Sequence, residues 1–110
     1  MPEPAGWLID VESKPRLFTS DDMAHTARVL KDFSRALRAD QTLHSVNPSA
    51  DMEAGMLRAS MTIEEPRQGH AEEIAIAAFF RGLEAAGFRT QMPGWELNVR
   101  VLGPLPNDAG

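Results

Sequence analysis

The feature that most constrains this chain is strict alternation of apolar and polar residues. Between Met56 and Glu64, Leu57, Ala59, Met61 and Ile63 fall on one side of an extended backbone, and Met56, Arg58, Ser60, Thr62 and Glu64 fall on the other. Trp7, Ile9 and Val11 alternate in the same way with Leu8, Asp10 and Glu12. Trp95, Leu97, Val99 and Val101 alternate with Glu96, Asn98 and Arg100. Such strands have one dry face and one wet face, so they belong to a sheet covered on one side only. A weaker strand from Thr42 to Asn47 carries Leu43, His44 and Val46. Pro48 follows it and suits an edge position.

Two helical periods separate these strands. The first has Thr19 as N-cap, Asp22 three residues on, and a Phe18–Met23 staple. Met23, Ala27, Leu30, Phe33 and Leu37 form its expected buried stripe. Arg28, Lys31, Asp32, Arg35 and Arg38 take the other face, and the helix should fade near Asp40. The second helix is expected from about His70 to Ala86, with Glu72 and Glu73 in the first turn. Gly87 is its expected left-handed stop, with Phe88 folding back on Leu83. Its apolar face (Ile74, Ile76, Ala78, Phe79, Phe80 and Leu83) is too wide for a single stripe of about 100°.

The order β-α-β-β-α-β with one-sided strands predicts an α+β fold. It is a ferredoxin-like sandwich, a four-stranded antiparallel sheet with two helices on one face. Right-handed crossovers are expected to place strands one and three at the centre, running parallel, with strands two and four as edges. Residues 7–102 form the expected domain. Residues 1–6 and 103–110, rich in proline and glycine, read as flexible tails.

Composition narrows the chemistry. Absence of cysteine excludes disulfides, thiolate zinc sites and a cysteine nucleophile. A net charge of −5 disfavours general nucleic-acid binding. No apolar run reaches the ~18 residues of a membrane span, and no basic and apolar leader opens the chain, so a cytoplasmic location is expected. Abundant alanine and a preference for Arg over Lys resemble proteins of high-GC bacteria.

Most familiar site chemistries find no footing. RNA-recognition domains of this topology stack bases on exposed aromatics of the central strands. The corresponding positions here are Leu8, Asp10, Glu12, Arg58, Ser60 and Thr62. Asp21 with His25, and His70 with Glu73, have helical spacing but fall short of a metal ligand set. Pro2 would resemble the N-terminal base of a tautomerase only at the head of the first strand, and it lies five residues before Trp7. No serine sits in a G-x-S-x-G elbow and there is no phosphate-binding glycine loop. No cofactor is expected.

Two constellations remain. If strands one and three run parallel, the loops after them gather Lys14, Arg16, Arg67 and His70 at helix N-termini, a site for a small anion. The surplus apolar residues Ile74, Phe79 and Phe80, with Trp95 and Leu97 of the last strand, suggest an interface. The leading expectation is a non-catalytic interaction or assembly domain, homodimeric or bound to another protein. Alternatives are a regulatory domain binding a small anionic ligand, and a small enzyme of tautomerase or dimeric α/β-barrel type.

Overall fold

The computed structural model describes residues 4–13, 23–51, 56–87 and 97–105. The elements are β1 (Gly6–Ser13), α1 (Met23–Arg38), β2 (Ser45–Asp51), β3 (Met56–Ile63), α2 (Gln68–Ala85) and β4 (Leu97–Leu105). The four strands form one sheet in the order β2-β3-β1-β4, and every neighbouring pair is antiparallel. This is the expected α+β sandwich with β1 and β3 central.

One expectation is overturned. β1 and β3 run antiparallel, with Trp7 opposite Ile63 and Ser13 opposite Leu57. The chain crosses over α1 into β2, which runs parallel to β1 but two places away. The turn after β2 then reverses the direction, so β3 enters between them antiparallel to both.

The alternation sorts the faces as its period dictates. Ile9, Val11, Leu57, Ala59, Met61 and Ile63 are buried under the helices. α1 adds Val29, Phe33 and Leu37, and α2 adds Ala71, Ala75, Ala78, Phe79 and Leu83. Val29 takes the place expected of Ala27, which is exposed. Phe33 and Phe79 meet edge to face, with centroids 5.2 Å apart and planes at 81°. Gly82 lets the helices approach closely, since a Cβ there would lie 3.0 Å from Phe33 Cδ1 and 3.2 Å from Leu37 Cγ.

Several boundaries move. α2 begins at Gln68, so Glu72 and Glu73 fall beyond its first turn. Gly87 adopts φ +95°, the left-handed stop expected of it. β2 runs from Ser45 to Asp51 and takes in Pro48, which an edge strand tolerates because half its N–H groups face outward. β4 continues through Gly103 and Pro104 to Leu105, opposite Gly6, so paired backbone extends past the expected limits of 7 and 102 at both ends. The Thr19 cap, the Phe18–Met23 staple and the Phe88–Leu83 contact lie outside the described residues. No described helix is long and apolar enough to cross a membrane.

Candidate functional site

The antiparallel register removes the shared sheet end on which the expected anion site was built. β1 ends at Ser13 beside Leu57, the start of β3, whereas Arg67 follows the far end of β3. Six residue steps of strand, about 20 Å, separate the two sheet ends. Lys14 and Arg16 lie outside the described residues, but the chain leaves β1 at the end remote from Arg67 and His70. Those two residues do meet. Arg67 Nη2 lies 2.8 Å from His70 Nδ1, and Arg67 donates through Nε at 3.0 Å and its backbone N–H at 3.1 Å to Glu65 Oε1. These Arg67 hydrogen bonds hold the Glu65 carboxyl below its ordinary value. The guanidinium is thus already satisfied by a carboxylate of its own loop. Among the described residues no His/Asp/Glu group could hold a metal ion.

The helix-free face of the sheet is more closed than its sequence pattern implies. Asp10, on a central strand, is only 4% exposed. Its carboxylate accepts from Ser60 Oγ at 3.2 Å and Arg100 Nη2 at 3.2 Å, and lies 3.8 Å from Arg58 Nε. Glu12 accepts from Arg58 Nη2 at 2.7 Å and Asn98 Nδ2 at 3.3 Å. The Arg58 hydrogen bond outweighs the cost of burial and holds the Glu12 carboxyl below its ordinary value. Two acids and two arginines therefore neutralise one another across β3, β1 and β4. Within this network the charges balance, two acids against two arginines.

The two sheet edges differ sharply. β2 presents Ser45, Asn47, Ser49 and Asp51 to solvent and carries Pro48. β4 carries Leu97, Val99 and Val101 toward the helices, and all three stay partly exposed because α2 sits mainly over β1. At its far end β4 is blunted. Leu102 is an extra residue between the Ile9–Val101 and Leu8–Gly103 pairs, and Pro104 follows. Leu102 is 52% exposed, the one large apolar side chain so exposed among the described residues. Leu97 to Val101 is thus a regular edge, apolar on its helix side and without a further strand partner among the described residues.

α2 supplies a flank to that edge. Arg81 reaches Asp40 beyond the end of α1, with Nη2 and Nε donating to Oδ2 at 2.6 and 3.2 Å, and so marks the side of α2 that faces α1. At ~100° per residue, Ile74 lies within about 20° of Arg81, while Ile76 and Phe80 turn about 140° and 100° away. Ile76 and Phe80, one helical turn apart and partly exposed, therefore form the flank on the β4 side. The expected interface set is corrected accordingly. Phe79 is fully buried against Phe33 and cannot reach a partner. Ile74 packs on the α1 side, Phe80 and Leu97 keep their place at the surface, and Trp95 lies outside the described residues. Ile76 and Val99 join the set. Their signal in the sequence was present, but choosing among the surplus α2 residues needed the position of α1.

No family model and no curated protein matches the chain. Among solved structures it is similar to the structure of Rv0793 from Mycobacterium tuberculosis, at 16% sequence identity over 94% of this chain and 99% of that one, with a TM-score of 0.48. A likeness of that degree assigns no function.

Proposed function

We propose that this chain is a small non-catalytic interaction domain that self-associates as a homodimer along the β4 edge. The observation that carries the reading is the contrast between its edges, one blunted by proline and polar side chains, the other regular and apolar on its helix side over Leu97 to Val101. Two β4 strands related by a two-fold axis would pair antiparallel into a continuous eight-stranded sheet. Both α2 helices would then stand on the same face of that sheet, one on each side of the seam, with Ile76 and Phe80 of each copy facing one another across it. A five-residue ladder spans only about 17 Å, and a stable interface needs roughly 1,000 Å², so the α2 flank has to take part.

Sedimentation velocity over a hundredfold concentration range tests this. The expected result is a dimer that Val99→Lys or Phe80→Glu converts to a folded monomer. A strict monomer at high concentration, or a dimer indifferent to both substitutions, overturns the proposal.

A further inference from the structure

The outer face of α1 carries charge of the opposite sign to the chain as a whole. The chain has 16 acids against 11 bases, yet α1 has four bases and Asp32 as its single acid. Arg28, Lys31, Arg35 and Arg38 fall at i, i+3, i+7 and i+10, which confines them to an arc of about 80° running about 15 Å along the helix. All four are exposed, and none forms an ion pair with another described residue. This separates them from Arg58, Arg67, Arg81 and Arg100, each of which is held by a carboxylate. Beside the stripe lies an open cleft of about 580 Å³, lined by Ala27, Leu30, Lys31, Ser34, Arg35 and Arg38. Ala27 and Leu30 supply its apolar lining beside the cations.

We infer that this face of α1 docks an acidic segment of a partner protein, with carboxylates at helical spacing along the stripe and an apolar side chain on Ala27 and Leu30. Charge complementarity selects the class of partner. A stripe of four cations, none paired with a described carboxylate, attracts an acidic peptide, and the acidic remainder of the molecule repels the longer phosphate backbone of a nucleic acid. The apolar lining favours a peptide over a bare polyanion, since a peptide brings both chemistries. This surface lies on α1, on the side of the molecule away from β4, so it is independent of the proposed self-association.

Fluorescence anisotropy of a labelled acidic amphipathic peptide, with glutamates at i, i+4 and i+7 and one leucine between them, tests the inference on the full chain. The peptide is expected to bind at low salt, and affinity is expected to fall about tenfold or more in the Lys31→Glu/Arg35→Glu variant and to fall also with rising salt. Both positions are exposed, and an unchanged melting temperature verifies that the variant folds. A matching lysine peptide should bind the reversed variant and not the original. Equal binding of the acidic peptide to both proteins overturns the inference. So does stronger binding of a single-stranded oligonucleotide or of inorganic polyphosphate than of the peptide, or self-association that the charge reversal abolishes.

Discussion

Asp40 shows how much one carboxylate can organise. Its Oδ1 accepts from the Thr42 backbone N–H at 3.0 Å and from Thr42 Oγ1 at 2.6 Å, while Oδ2 holds Arg81. The side chain is only 8% exposed. Burial pushes its carboxyl up, and the Thr42 and Arg81 hydrogen bonds together outweigh that and hold it below its ordinary value. Asp40→Ala removes the turn after α1 and its tie to α2 together. A loss of about 1–3 kcal/mol is expected in urea unfolding. Asp40→Asn should cost less, because it keeps the shape and one acceptor. The carboxyls of Glu12, Asp40 and Glu65 all titrate lower in the fold than in the unfolded chain. The folded state therefore binds these protons more weakly. Their stabilisation is full above the ordinary carboxylate range and is lost as pH falls through the depressed folded values. Melting temperature should hold steady near neutrality and fall progressively in acid, less steeply once Glu12 is replaced by Gln.

At the scale of elements, the packing of α1 on α2 turns on Gly82. Its missing Cβ is where Phe33 and Leu37 fit, and Phe33 is pinned in turn against Phe79. Gly82→Ala gains helix propensity but forces a fully buried ring to move. Overpacking outweighs propensity here, and a net loss of about 1–2 kcal/mol is expected by denaturant titration. The same substitution at Gly69, where a Cβ meets nothing within 4 Å, should be neutral or stabilising. Elements also explain which expectations survived. The period of β3 alone placed Leu57, Ala59, Met61 and Ile63 in the core. The α1 stripe was misread at one residue, Ala27 for Val29, because a helix of this length offers several overlapping apolar registers and only the sheet beneath selects one.

For the whole molecule, the proposed self-association would make stability depend on concentration. A dimer that unfolds to separate chains must melt higher as protein concentration rises. A melting temperature that climbs with concentration in the original protein and stays flat in Val99→Lys is the expected pair of results, read by calorimetry. The opposing charge of α1 and the remainder belongs to this scale too. It was written in the sequence as Arg28, Lys31, Arg35 and Arg38, but its meaning rests on those side chains lacking carboxylate partners among the described residues.

Sequence by itself determined the one-sided sheet, the order of its elements, the stop at Gly87 and the edge position of the strand with Pro48. Each of these follows from backbone geometry over a few residues, where period, capping and φ preference act locally. The tertiary structure alone decided that β1 and β3 run antiparallel, which sends the chain out of β1 at the sheet end opposite Arg67 and His70. It alone buried Asp10 between Arg58 and Arg100, buried Phe79 while leaving Phe80 at the surface, and joined Asp40 to Arg81 across 41 residues. Those outcomes depend on which distant segments meet, and a distant meeting leaves no periodic trace along the chain.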